Sequence, residues 1–145
     1  MSIIIKFFVA PSHRAAAAVV DGGPDGTFES LSFGNFDVEE ALIEWEGIFT
    51  GRSFDELIAV DEPEVVADPD DGEGPVLLVA STALQDALAA ADRSRIIEVS
   101  QLWVRERAAD GEVFAPEIAT QILNDLAGLA HGFRGREHRL YCWTA

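Results

Sequence analysis

Asn35-Phe-Asp-Val-Glu-Glu-Ala-Leu-Ile-Glu-Trp-Glu-Gly-Ile-Phe-Thr-Gly51 is the stretch around which the rest of the chain is organised. It reads as one amphipathic helix with both ends marked. Asp37 is placed to cap the N-terminus, and Glu39 and Glu40 fall in the first turn, where the helix dipole favours negative charge. Val38, Ala41, Leu42, Trp45, Ile48 and Phe49 recur at the three- and four-residue spacing of a single face, and Gly51 supplies the stop. A helix with such a face needs a layer to cover it.

Upstream, residues 2 to 9 are rich in Ile, Phe and Val with Lys6 as the only charge, which predicts a strand buried on nearly both faces. Pro11 breaks it, and Ser12 is placed to cap a short helix that ends in the turn cluster 21 to 26. Residues 27 to 33 alternate as a strand or extended connection. Downstream, Ser53 and Glu56 have capping-box spacing for a short helical turn. Residues 61 to 74 are acidic and rich in Pro and Gly, so they predict an exposed connector with Val65 and Val66 tucked against the body. Residues 75 to 80 are strand-like. Thr82 and Gln85 form a second capping-box spacing, opening a helix through Leu84, Ala87, Leu88 and Ala91. A run with Ile96, Ile97, Val99, Leu102, Trp103 and Val104 closes at Gly111. Pro116 begins a last helix with Ile118, Ile122, Leu123, Leu126 and Leu129 on one face, and 140 to 144 is an aromatic strand that pairs near the N-terminal one.

At 145 residues, 48% hydrophobic and 25% charged, the chain has the length and composition of one globular domain, residues 1 to 145. The expected fold class is therefore α+β, with a small, mainly antiparallel sheet that includes both terminal strands and packs against several amphipathic helices. Cys142 is the one cysteine, so no intrachain disulfide forms. The apolar N-terminus lacks a basic region and is too short to span a bilayer, which points to the cytoplasm.

The formal net charge of −16 is concentrated. From Asp21 to Pro75 there are seventeen acidic residues and one basic residue, Arg52, while the remainder is balanced. Such a field repels nucleic acid phosphates and anionic membranes and favours a basic partner. The plainer alternative is a solvated acidic face that serves solubility.

The order of elements resembles the YfbM-like family, bacterial proteins whose defining domain has no assigned function. Phe36-Asp37-Val38 leading to Ile48-Phe-Thr-Gly51 is similar to the family's Leu-Asp-Leu and Leu-Leu-Thr-Gly. Gly74-Pro75-Val76-Leu77-Leu78 before the Thr82 helix, and Leu140-Tyr-Cys-Trp143 after the last helix, are similar to its later landmarks. The resemblance covers most of the chain. It departs where family members often carry Trp-His-Gly-x-His, since Leu42, Ile43, Glu44 and Glu46 stand here and the aromatic is Trp45; no role of those histidines transfers.

Candidate chemistry is sparse. Asp68, Asp70, Asp71 and Glu73 could offer oxygens to a hard cation, yet with Gly72 at loop position six an EF-hand would need ligands at Ala67 and Pro69, and a solvated turn is the simpler reading. His13, His131 and His138 lack zinc spacing. Cys142 with His131 or His138 could be a nucleophile pair, although an apolar strand favours a buried, inert thiol. Glu44 and Glu46 point to different helix faces and cannot act on one atom; Glu46 sits beside Leu42 on the buried side. Trp45, Trp103 and Trp143 read as core residues, with a binding role as the sharper alternative. No catalytic, metal or cofactor signature is present. The expected function is a non-enzymatic binding, regulatory, inhibitor or immunity-type protein acting on a basic partner through the acidic surface of residues 21 to 75, with Glu39, Glu40, Asp68, Asp70 and Asp71 as its binding residues. The alternative is a small-molecule binder or enzyme with a cleft near Trp45, Glu46 and the C-terminal strand.

Overall fold

The computed structural model describes residues 3–34, 36–132 and 138–145. Ser2, expected to begin the first strand, and Asn35, which opens the central stretch, lie outside the described residues. Eleven elements follow one another: β1 (Ile4–Ala10), α1 (His13–Ala17), β2 (Ser30–Gly34), α2 (Val38–Thr50), α3 (Phe54–Ala59), β3 (Glu64–Ala67), β4 (Val76–Val79), α4 (Thr82–Ala90), α5 (Arg93–Ala109), α6 (Pro116–His131) and β5 (Arg139–Thr144). The fold is α+β. The strands form one sheet in the order β2-β1-β5-β4-β3 with every neighbouring pair antiparallel, and the two terminal strands lie side by side inside it.

The period-two alternation of a strand explains the layering. Ile5, Phe7 and Val9 of β1 face the same side as Leu78, Leu140 and Cys142, and α2, α4, α5 and α6 cover them. Phe8, Leu77, Val79, Tyr141 and Trp143 face the other side, against Ala16, Val19, Val20 and Phe28. Both sides of β1 are therefore covered, as its near-continuous apolar sequence requires.

Helix α2 forms as its sequence directs. Asp37 accepts the Glu40 N–H at 3.1 Å, and Gly51 ends the helix with φ +78°. Trp45 is fully buried in an aromatic cluster with Phe7, Phe36 and Trp103, the Trp45 and Trp103 rings 5.2 Å apart and edge to face. Gly47 stands inside the helix for a packing reason: a Cβ there would lie 2.8 Å from the Arg52 carbonyl oxygen, where the chain folds back toward α3.

Three expectations need correction. Residues 61 to 74 are not all connector, because Glu64–Ala67 pair with β4 as an edge strand; Val66 packs on the sheet while Val65 is half exposed. Helix α4 is capped by Ser81, not Thr82, for the Ser81 hydroxyl accepts the Leu84 N–H at 3.0 Å and also donates to Glu46. The faces of α5 and α6 are narrower than the apolar lists suggest: Ile97, Leu102 and Ile118 are exposed, and the buried stripe of α5 runs Ile96, Val99, Trp103 and then Arg107.

Candidate functional site

Thirteen of the seventeen carboxylates of residues 21 to 75 fall into two groups by what holds them. The first group is spent inside the molecule. Arg107, 4% exposed, extends the α5 stripe toward α2, and its Nη2 reaches Glu44 at 2.5 Å, Asp110 at 2.8 Å and Glu40 at 3.1 Å; Glu112 lies 3.7 Å from Nη1. Burial alone would push the guanidinium down, but Glu44 and Glu40 outweigh it and hold Arg107 firmly charged. Glu44 accepts a further bond from Trp103 Nε1 at 3.1 Å, yet burial dominates and raises its carboxyl above the usual range. Asp25 is paired with Lys6 and also accepts from Ser30, which lowers it. Glu46 is 3% exposed and accepts the Ser81 hydroxyl, tying α2 to the start of α4.

The second group has no basic residue in its own stretch. Between Ser53 and Pro75 nine acidic residues occur with no basic residue. Asp55 and Glu56 open α3, Asp61 and Glu62 link it to β3, Glu64 begins β3, and Asp68, Asp70, Asp71 and Glu73 lie in the β3–β4 loop. Among the described residues one ion pair involves this set, a 3.8 Å approach of His13 Nε2 to Glu64, itself exposed. The acids therefore flank both ends of an edge strand about 13 Å long at 3.3 Å per residue. Glu62 shows the crowding: burial first, then Glu46 and Glu64, raise its carboxyl, with Arg139 and Arg52 offsetting only part.

The β3–β4 loop is held by its own backbone. Asp68 Oδ1 accepts the Gly72 N–H at 2.7 Å, Asp70 accepts the Glu73 N–H through its carbonyl at 3.0 Å, and Asp71 and Gly72 take φ of +51° and +83°. This presents Asp70, Asp71 and Glu73 outward as exposed side chains. Among the described residues, the carboxylates that converge closely enough to hold a cation are Glu40, Glu44 and Asp110, within 4.8 Å of one another, and the Arg107 guanidinium is hydrogen bonded to all three. The place a cation would take is already filled.

Of the residues expected to bind, Glu39, Asp68, Asp70 and Asp71 are exposed. Glu40 is half-buried and paired with Arg107, whereas Trp45 is fully buried and Glu46 is turned into the α2–α4 contact, so the last two are not on a docking surface. Beside Glu46, the space among Leu42, Glu62, Ala80, Ser81 and Leu84 has no room for a water molecule. A shallow hollow of about 430 Å³ lies instead along α2, lined in part by Ile43, Glu44, Arg52, Phe54, Glu106 and Asp110. Cys142 is fully buried and burial drives its thiol far up, so it is no nucleophile. Trp143 Nε1 donates to the Val20 carbonyl at 2.7 Å, a packing role.

Sequence reasoning missed Arg107 and β3. The signal for Arg107 was available, since the stripe Ile96, Val99, Trp103 continued by four residues lands on it. The signal for β3 was the pair Val65-Val66, β-branched residues inside an otherwise polar run. No family model matches the chain, and comparison with curated proteins and with solved structures finds no match either. Among the described residues no helix is long and apolar enough to cross a membrane.

Proposed function

We propose that this protein is a non-enzymatic binding protein, of regulatory, inhibitor or immunity type, that docks a basic protein on the acidic flank formed by α3, β3 and the β3–β4 loop. The observation that carries this reading is that nine acidic residues sit there without a basic residue in the same stretch, whereas Glu40 and Glu44 of α2 are matched by Arg107. Unmatched charge of one sign costs self-repulsion in the folded state and gains speed and selectivity in association with a partner of the other sign. Residues that would do chemistry are otherwise occupied: Cys142 is buried, Glu46 is hydrogen bonded within the fold, and the three clustered carboxylates hold an arginine. Kinship with the YfbM-like family is part of the same proposal and rests on the short motifs quoted above.

Capture from a cell lysate by the immobilised chain tests the reading, with the comparison made against a variant carrying Asp55→Asn, Glu56→Gln, Asp61→Asn, Asp70→Asn, Asp71→Asn and Glu73→Gln. These six exposed side chains make no ion pair with described residues, so the amide isosteres remove charge while preserving shape. The expected result is a basic protein held by the wild type, lost by the variant, and rebinding when both components are purified. Identical partner lists for the two chains contradict the proposal.

A further inference from the structure

We infer that the partner contributes an extended, lysine- or arginine-rich segment that pairs with β3 and adds a sixth strand to the sheet. This deepens the docking reading above and rests on it. Among the described residues, β3 is the outermost strand beyond β4, and residues 64 to 67 make no backbone hydrogen bond outside that pairing. An edge of this kind presents unpaired N–H and C=O groups, which pair with another extended chain unless something prevents it.

What prevents it here is selective. The strand is four residues long, it is bulged between Val65 and Ala67, and Pro63 precedes it. It also carries exposed Glu64, with Asp61 and Glu62 before it and Asp68, Asp70 and Asp71 after it. A second copy of β3 would bring the same charges opposite one another and be repelled. A basic strand meets the reverse situation, so one set of carboxylates excludes self-pairing and favours a cationic occupant. Val65, 52% exposed and on the opposite face from Glu64, offers that strand an apolar contact between its charged positions.

The other edge of the sheet supplies the contrast. In β2 (Ser30–Gly34) the residues are Ser, Leu, Ser, Phe and Gly, and of the nearby acids Asp25 is already paired with Lys6. Among the described residues neither edge pairs with a further strand, and the two differ in charge. A basic segment therefore selects β3.

The test uses the full chain and an octapeptide of alternating lysine and valine, alongside the same peptide N-methylated at every backbone amide, which keeps the charge and removes the donors. Amide hydrogen exchange and fluorescence anisotropy are the readouts. The expected result is exchange slowed at residues 64 to 67, no change at residues 30 to 34, and affinity for the methylated peptide lower by about tenfold or more, as backbone pairing requires. Equal affinity for both peptides, lost together in the sixfold amide variant, overturns strand addition and leaves charge docking standing. Protection at residues 30 to 34 overturns the choice of edge. Failure of both peptides to bind the wild type overturns this inference together with the reading beneath it.

Discussion

Replacing Arg107 by methionine isolates the strongest electrostatic commitment in the fold. The side chain is 5% exposed and neutralises Glu44, whose own side chain is 9% exposed, with Glu40 and Asp110 at its rim. Without it, Glu44 keeps the Trp103 hydrogen bond but loses its countercharge at a largely buried position. Removing one partner of a buried pair costs about 3–5 kcal/mol. For 145 residues the unfolding entropy is about 0.3 kcal/mol/K, so Tm falls by about 10–16 °C. The arrangement also fixes the pH dependence. Burial already raises Glu44, and loss of Arg107 raises it further, so its protonated form is favoured in the folded state. Stability linked to such a group is present below the unfolded glutamate value of about 4.3 and is lost as pH rises through the folded value. The deficit of Arg107→Met is therefore greatest near pH 7 and narrows toward pH 4. Adding Glu44→Gln removes the stranded charge and restores most of the loss at pH 7. Calorimetric scans of wild type, single and double variants from pH 4 to 8 measure all of this; a single variant within about 3 °C of wild type at pH 7, or a double no better than the single, refutes the reasoning.

Gly47→Ala should destabilise by about 1–3 kcal/mol through overpacking, opposite to the gain of about 1 kcal/mol that helix propensity alone gives, because the new Cβ meets the Arg52 carbonyl; the urea midpoint decides the sign. Ser81→Ala removes both the α4 cap and the donor to buried Glu46, at a cost of about 1–3 kcal/mol by chemical denaturation, whereas Thr82→Ala is near neutral. Glu62 is raised by burial and by Glu46 and Glu64, so its ionisation opposes folding above its folded pKa. Glu62→Gln should accordingly raise Tm by about 2 °C near neutral pH and leave it unchanged near pH 4; a thermal scan at the two pH values that shows the same shift at both would count against this account.

The two halves of the result differed in how legible they were. Helix α2 could be read because independent signals agree on it: a cap at Asp37, acids in the first turn, one apolar stripe and a glycine stop, all local and all realised. The terminal strands were readable for a similar reason, since Ile, Phe and Val at β1 and the aromatic run of β5 leave few other places to be buried. Strand β3 was hidden because an edge strand needs only one row of hydrogen bonds, and its four residues sit among acids, Pro63 and Pro69 that speak for a loop. The charge segregation was plain in the sequence, but its division was not. Glu40 and Glu44 look like Glu39 and Asp55 until α5 delivers Arg107 from more than sixty residues away, a pairing that leaves no trace in the sequence around the acids themselves. Trp45 illustrates the converse: an aromatic beside carboxylates resembles an interface anchor, and only the packing of Phe7, Phe36 and Trp103 around it shows that it belongs to the core.

The central claim is that the unpaired carboxylates around β3 bind a cationic chain, and the affinity of the lysine–valine octapeptide at about 50 and 200 mM salt tests it most directly. The account predicts that the wild type binds at the lower salt, loses about tenfold or more at the higher, and that the sixfold amide variant binds weakly at both. Affinity that is indifferent to salt, or equal in the variant, contradicts it.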